Sequence, residues 1–418
     1  MKIIKFKFSD DQTKNFHPMN IEILIEQILN KIPRLNKSRK NFFVHIITMF
    51  LSVRGKINFS QLSRYGKMQE SSYRLNFKKE FDFRSFNLEL IQETMSEDKI
   101  VVFDPTFIPK SGKSTVGIAY FWSGCASRAE RGLEFGGFGA VDITNNTAMH
   151  LIGNQTLFWK EEGSLLDYYA GLVQAHAPEM VQISKYLAAD AYFAKKPFVE
   201  AVSAVNMFLV TRLRKDSRMQ YPYIHPRIKR RGRPTKFSGK VDCLNLNLEY
   251  FSICIKEADF IVYEATVWVT AFKRWCRVAV VHYLDEQGAI QRVKTFCSTD
   301  TSMSGIDLFL AYKARYQIEF LYRDGKQHTG LADCQARSAD KIHFHLNASL
   351  TAVSIAKAAH WYSLENKNNV PFSMANIKTR YFNQLMLDLF FNTFGICPNK
   401  TFNKQLKAKL LQFGRIAA

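Results

Sequence analysis

The chain has 418 residues, of which 47% are hydrophobic and 14% aromatic, so it can bury sizeable cores and is not a disordered tail. Lys and Arg number 58 against 37 Asp and Glu, and this net charge of +21 indicates a polyanionic partner, most commonly nucleic acid. No run reaches the roughly 18 apolar residues of a membrane-spanning helix, and the start, MKIIKFKFSDDQ, lacks a signal-peptide core, so we expect a soluble intracellular protein with no membrane partner.

The first 95 residues are predicted to be helical and basic. Two short helical segments, NFSQLSRYG and ESSYRLNFKKEF, are joined by a glycine-containing turn, and the second carries Arg74 and Lys78. This pattern indicates a helix-turn-helix-like DNA-binding module within residues 1–95. A helical bundle with a solvated basic face explains the pattern equally well, so both interpretations stay open.

From residue 96 the sequence alternates between short strands and helices. The apolar run KIVVFD ends in Asp104, and the later run KYLAADAYF carries Asp190 at its end. Between them GGFGAVDITNNTAMHLIGNQTLF predicts a hairpin and SLLDYYAGLVQAHAP a helix, and a helix and the strand NMFLVTRLR follow. This is the order of a ribonuclease-H-like α/β core, expected over residues 96–215 and 300–345. Its first and fourth strands are neighbours, which brings the two aspartates together, whereas Asp142 in the hairpin is less well placed.

A β-rich block interrupts this core. Alternation in segments such as VDCLNLNLEYFSICI and EATVWVTAF predicts an inserted β-strand subdomain over residues 216–299. It contains IKRRGRPTKFSGK, in which Arg231 and Arg233 flank a glycine as in the minor-groove core of an AT-hook, and Lys236 follows. Contact with DNA is one interpretation of this segment, and a solvated basic loop is the other. Residues 346–418 are predicted to form a helical C-terminal region.

The segment YKARYQIEFLYRDGK predicts one helix with a sorted surface. At about 100° per residue, four polar side chains fall within one arc of about 60°: Tyr312, Arg315, Glu319 and Lys326. The opposite face is apolar and is expected to pack on the core through Leu310, Ala314, Ile318 and Leu321. The helix therefore carries one carboxylate among groups that can bind an anion.

Three carboxylates are thereby candidates for one catalytic site: Asp104, Asp190 and Glu319. Like charges a few ångströms apart raise each other's pKa unless a cation neutralises them. Two Mg²⁺ ions about 4 Å apart, held by oxygen ligands, are suited to this and can drive an in-line phosphoryl displacement. His328 is a candidate for proton transfer, with an ordinary surface histidine as the alternative.

The cationic side chains are candidates for phosphate binding. Arg315 offers a bidentate grip on a phosphodiester, Lys326 a point charge and Tyr312 a hydroxyl donor. Arg212 and Arg214 leave the last core strand near the expected active-site edge and are predicted to contact DNA phosphates.

The spacing of four of these residues resembles a known signature. Tyr312, two residues, Arg315, three residues, Glu319, six residues and Lys326 is similar to the Tyr-Arg-Glu-Lys signature of DDE transposases from bacterial insertion sequences, the insertion-sequence-four superfamily. FDPTF and AADAYF stand before it in the matching order, with a long β-rich block between them and Glu319. The resemblance covers roughly residues 20–360.

The resemblance implies cut-and-paste DNA transposition: Mg²⁺-dependent cleavage at the element ends, followed by attack of the freed 3′-hydroxyl on target DNA. It implies that the metal ligands are Asp104, Asp190 and Glu319, with Mn²⁺ able to replace Mg²⁺, and that Tyr312, Arg315 and Lys326 hold phosphates. The implied partners are double-stranded DNA, as terminal inverted repeats and target, and a second copy of the chain in a homodimeric synaptic complex. The implied location is the bacterial cytoplasm, at the nucleoid.

Two alternatives stay open. A metal-dependent DNA nuclease of the same fold would cut DNA and never join it. A catalytically silent DNA-binding regulator derived from a transposase would be unaffected by Asp104→Ala or Glu319→Ala. Some relatives form a DNA hairpin and hold a flipped base on an aromatic side chain, for which Trp268 and Trp275 are candidates, although core packing is the commoner role of a strand tryptophan.

Overall fold

The computed structural model describes residues 21–157, 163–224, 234–362, 371–397 and 401–416. The chain begins with a helical region in which capped helices bury apolar faces; Asn36, Asn58 and Asp82 accept hydrogen bonds from backbone N–H groups at three of the helix starts. Its helices are α1 (Ile21–Lys31), α2 (Lys37–Ser52), α3 (Phe59–Tyr65), α4 (Glu70–Lys78) and α5 (Phe83–Thr94).

A mixed sheet begins after these helices. Its first strands and helices are β1 (Lys99–Pro109), β2 (Ala119–Ser123), β3 (Arg128–Asp142), β4 (Thr147–Gln155), α6 (Leu165–Ala175), α7 (Ala177–Ile183), β5 (Tyr186–Ala188), α8 (Lys196–Ala204) and β6 (Phe208–Leu213). β3 pairs antiparallel with β1, β2 and β4, whereas β1, β5 and β6 are parallel neighbours. The strands β4, β3, β1, β5 and β6 therefore lie side by side in that order.

The strands of residues 216–299 continue the same sheet. They are β7 (Met219–Pro222), β8 (Phe237–Lys240), β9 (Ser252–Lys256), β10 (Phe260–Val269), β11 (Arg274–Leu284) and β12 (Ile290–Ser298). β12 pairs antiparallel with β6, so among the described residues one sheet of 12 strands runs through both segments. The prediction of an α/β fold is confirmed.

Helices cover both faces of this sheet. The remaining helices are α9 (Gly305–Ala314), α10 (Gln317–His328), α11 (Ala339–Tyr362), α12 (Met374–Thr393) and α13 (Thr401–Leu411). On one face Phe103 of β1 packs against Tyr169 of α6 and Phe198 of α8. On the other, Asn347 of the buried helix α11 bonds to the backbone of Gly153 in β4. α11 runs without a break across residue 345, where the sequence placed the end of the core.

The prediction of one continuous helix around Tyr312 is wrong. α9 ends and α10 begins at a junction formed by Arg315 and Tyr316, and Leu310, expected in the core, is 42% exposed. The other three side chains that the wheel placed on the core face, Ala314, Ile318 and Leu321, are buried. No helix within the described ranges has the length and apolarity to cross a membrane.

Candidate active site

Two aspartates meet because their strands are parallel neighbours. Val101 and Val102 of β1 pair with Leu187 and Ala188 of β5. Asp104 follows two residues later in β1, and Asp190 follows β5, where its carboxylate caps a short 3₁₀ helix by accepting the backbone N–H of Tyr192 at 2.8 Å. Parallel strands direct their carboxyl ends to one edge of a sheet, so both side chains lie at that edge.

Helix α10 brings Glu319 to this edge. The hydroxyl of Tyr322, one turn beyond Glu319, donates to the backbone oxygen of Asp104 at 2.6 Å. Tyr322 is buried, and its hydroxyl also reaches the backbone oxygen of Gly137 at 3.4 Å. Its role was missed in the sequence because a tyrosine at a core position gives no sign of which carbonyl it bonds.

Arg315 lies between two of the carboxylates. Its Nη1 is 3.5 Å from Oδ1 of Asp104 and its Nη2 is 3.4 Å from Oε1 of Glu319. The side chain is only 10% exposed, its guanidinium lies 5.5 Å from the ring centre of Tyr312, and its Nε has no hydrogen-bond partner within the described part of the chain. The junction between α9 and α10 thus supplies a cation that offsets part of the negative charge of the site.

The three carboxylates interact electrostatically. Burial raises the pKa of Asp104 to about 7; Arg315 opposes this shift, and Asp190 and Glu319 add to it. Burial lowers the pKa of the Arg315 guanidinium, but Asp104, Tyr312, Glu319 and Asp190 outweigh burial and leave that pKa above its ordinary value. A partly desolvated cluster of acids around one arginine is the arrangement expected of a functional site.

Lys326 and Tyr312 flank the cluster. Lys326 donates to the hydroxyl of Thr106 at 2.9 Å, and burial lowers its pKa, although Cys125 and Asp104 oppose that shift. Tyr312 stacks on Phe296 of β12 at 4.7 Å between ring centres. Burial raises the pKa of Tyr312, whereas Arg315 and Arg212 lower it, so Arg212 belongs to the same neighbourhood.

The three carboxylates are of the type that binds a divalent cation, but the described residues do not form a complete metal site. Carboxylate oxygens from three elements are the ligands that Mg²⁺ prefers. Yet within the described ranges no three His, Cys, Asp or Glu side chains come close enough together to hold a metal ion. Arg315 contacts both Asp104 and Glu319, so a cation of the protein itself already lies between these two carboxylates.

A groove with several cations continues from Arg212. Arg212 and Arg214 are exposed beside β12, and together with Arg292 and Lys294 they line a groove of about 690 Å³. Burial lowers the pKa of Lys294, as do Arg292 and Arg212. The sequence did not identify Arg292 and Lys294, because only the pairing of β6 with β12 brings them to the predicted arginines.

Other predicted contacts lie elsewhere. Arg74 is paired with Glu70 on α4 and covers the ring of Phe59, and Lys78 is exposed at the end of that helix. His328 shares a pocket with Arg323 and Asp324 rather than with Asp104, and burial lowers its pKa. Lys236 is exposed before β8, whereas Arg231 and Arg233 lie outside the described residues.

Asp142 and the two tryptophans have structural surroundings. The carboxylate of Asp142 accepts hydrogen bonds from the backbone and hydroxyl of Ser96 and from the backbone of Asn145, which fixes the turn after β3. Trp268 and Trp275 are cross-strand partners in β10 and β11, with ring centres 5.5 Å apart.

Residues 169–355 match the family model described as "Transposase DDE domain". The match includes Asp190, Arg315, Glu319 and Lys326, and it supports a DDE transposase. Among solved structures, the chain is similar to one described as "Cryo-EM structure of piggyBac transposase synaptic complex with hairpin DNA (SNHP)", with 11% identity, a TM-score of 0.41 and coverage of 95% of this chain and 82% of that chain. A comparison with curated proteins gives no match.

Proposed function

We propose that this chain is a DDE transposase that cuts DNA at the ends of an insertion sequence and joins the freed 3′-hydroxyl to target DNA. The observation that carries the proposal is a cluster of acids at one sheet edge: Arg315 contacts Asp104 and Glu319, and Asp190 lies near enough to raise the pKa of Asp104. The family match over residues 169–355 supports it.

We also propose a fold and a domain organisation for the chain. The order β4, β3, β1, β5, β6, with the last three strands parallel, supports a ribonuclease-H-like core, and the spacing around Glu319 supports the insertion-sequence-four superfamily. In this proposal residues 1–95 bind DNA, residues 96–215 with 300–345 form the catalytic core, residues 216–299 form an insertion that shares its sheet, and residues 346–418 form a C-terminal helical region.

The proposed metal ligands are Asp104, Asp190 and Glu319. These side chains would hold two Mg²⁺ ions, or Mn²⁺ in their place, which would supply Lewis-acid chemistry for displacement at a phosphodiester. The protein's own share of the reaction is to hold the DNA: Arg315 and Lys326 neutralise non-bridging oxygens, and Tyr312 donates through its hydroxyl.

Further DNA contacts are proposed for Arg212 and Arg214, and for the basic side chains predicted earlier, Arg74, Lys78, Arg231, Arg233, Lys236 and His328. The proposed partners are the terminal inverted repeats, target DNA and a second copy of the chain that pairs the two ends. The reaction would take place in the bacterial cytoplasm, at the nucleoid.

A strand-transfer assay tests the proposal. Labelled duplexes carrying the DNA that borders the coding sequence are incubated with the protein, plasmid and Mg²⁺. We expect cut ends and a labelled plasmid product. Cutting without joining would favour the nuclease, and binding without either reaction would favour the silent regulator.

A further inference from the structure

We propose that Arg315 is an exchangeable cation that couples DNA binding to metal binding. In the DNA-free chain its guanidinium is the cation that contacts both Asp104 and Glu319. When a DNA phosphate arrives, Arg315 turns to the phosphate, and the two carboxylates become free to bind a divalent ion. The inference rests on the proposed function and adds an order of events to it.

The contacts of Arg315 are those expected of a cation that can move away from its two carboxylates. Its two ion pairs measure 3.5 and 3.4 Å, whereas optimal hydrogen bonds between a guanidinium and a carboxylate measure about 2.7–2.9 Å. The two contacts go to different carboxylates, Asp104 and Glu319, so neither forms the two parallel bonds of a bidentate pair. Arg315 therefore offsets part of the charge of both groups without a tight bond to either.

The third guanidinium nitrogen of Arg315 is a hydrogen-bond donor that lacks an acceptor among the described residues. Its Nε is buried and unpartnered among the described residues, and buried donors are normally satisfied. A phosphate that accepted from Nε and one Nη would satisfy this donor and would remove the guanidinium from at least one carboxylate. Tyr312, which lies under the guanidinium, also adjoins Arg212 and so connects Arg315 to the cationic edge where DNA would arrive.

Lys326 does not take part in this exchange. Its ammonium bonds to the neutral hydroxyl of Thr106, at 2.9 Å, rather than to a carboxylate. Once Arg315 leaves, Asp104 and Glu319 would lose their ion-pair partner, and a divalent ion is the natural replacement. By linkage, DNA must then tighten metal binding by the same factor by which metal tightens DNA binding.

Mn²⁺ titrations of the full-length protein, followed by electron paramagnetic resonance, test the exchange with and without a short duplex. For the wild type we expect DNA to tighten Mn²⁺ binding by about tenfold, a common size for such coupling. Arg315→Gln is expected to bind Mn²⁺ several-fold more tightly than wild type without DNA, and to gain little from DNA. Arg315→Lys, which keeps the charge but lacks the planar fork of the guanidinium, is expected to fall between the two and serves if Arg315→Gln does not fold.

Two controls isolate the effect. Arg415→Gln removes the same charge from an exposed position in the C-terminal region and is expected to leave Mn²⁺ affinity without DNA unchanged. Asp104→Asn measures the Mn²⁺ that binds to DNA or to other parts of the chain. If Arg315→Gln and Arg315→Lys bind Mn²⁺ no more tightly than wild type without DNA, the exchange is overturned, even where strand transfer proceeds. A wild type that never transfers strands would instead overturn the proposed function and leave this titration valid.

Discussion

The hydroxyl of Tyr322 donates to the backbone oxygen of Asp104 at 2.6 Å, and this bond fastens helix α10 to strand β1. It sets the position of Glu319, which lies one turn before Tyr322, relative to the strand that carries Asp104. The position of Asp104 relative to Glu319 thus depends on a hydrogen bond between a tyrosine hydroxyl and a backbone oxygen, neither of which is a proposed metal or phosphate ligand.

Removal of this hydroxyl should loosen the site. Tyr322→Phe leaves a buried carbonyl without its donor, which costs about 1–3 kcal/mol. We expect the free energy of unfolding in urea to fall by that amount and DNA cleavage to fall with it. Tyr120→Phe, at a side chain that is 72% exposed, is the control and should change neither. Equal effects of the two substitutions would contradict this role of Tyr322.

Gly137 gives α10 room to approach. A Cβ at this position would lie 2.3 Å from the Tyr322 hydroxyl, so Gly137→Ala should push α10 away from β1. Overpacking of this kind costs about 1–3 kcal/mol, measurable as a lower free energy of unfolding. Gly124→Ala, which meets no atom within 4 Å, is the matched control. A Gly137→Ala protein as stable and as active as the control would show that this close contact is not needed.

We expect the contribution of Lys378, in the C-terminal region, to the free energy of unfolding to depend on pH. Its ammonium donates to the backbone oxygens of Phe50 and Val53, which attaches α12 to the end of α2. Burial lowers its pKa from 10.5 to about 7; Asp333 opposes this shift and Arg54 adds to it. The folded chain therefore binds fewer protons than the unfolded chain between about pH 7 and 10.5, so stability contributed by this group rises with pH across that window.

Lys378→Met should remove this dependence of the free energy of unfolding on pH. The free energy of unfolding of the wild type, relative to that of Lys378→Met, is expected to rise from pH 7 to pH 9.5, a range inside that window. The exposed control Lys404→Met should give no such rise. A constant difference between wild type and Lys378→Met would mean that Lys378 does not titrate as a buried group.

The groove beside β12 predicts non-specific phosphate contacts. Arg212→Gln and Lys294→Gln should each weaken DNA binding by a similar factor for unrelated sequences. Each should also reduce the slope of log affinity against log salt concentration by about 1. Lys409→Gln, an exposed cation on α13, is the control. Unchanged slopes for both groove variants would exclude this surface from the DNA path.

The sequence predicted the α/β class and the candidate acids because both depend on local signals. A buried apolar run that ends in aspartate identifies Asp104 and Asp190 without knowledge of strand pairing, and the spacing around Glu319 is visible within one helical segment. The break at Arg315 was not predictable, because Arg315 and Tyr316 keep helical backbone angles and no glycine or proline marks the junction. Nor were the partners of Tyr322 and Lys294, which depend on contacts between distant segments.

The position of Arg315 between Asp104 and Glu319 also could not be predicted from the sequence. The helix wheel put Arg315 and Glu319 on one face and suggested that both point toward the same ligand. The structure pairs Arg315 with both Glu319 and Asp104, so the protein itself offsets part of the negative charge of the DNA-free site. Arg323, beside the same arc, instead pairs with Asp324 and covers Phe320.

The central claim is that Asp104, Asp190 and Glu319 act as one site on DNA. The most direct measurement is Mg²⁺-dependent cleavage and joining of the bordering DNA by Asp104→Asn, Asp190→Asn and Glu319→Gln, with the exposed Glu200→Gln as the matched control. We predict that each of the three variants still binds DNA and loses cleavage by at least about 100-fold, while Glu200→Gln matches wild type. Cleavage at the wild-type rate by any of the three would contradict the claim.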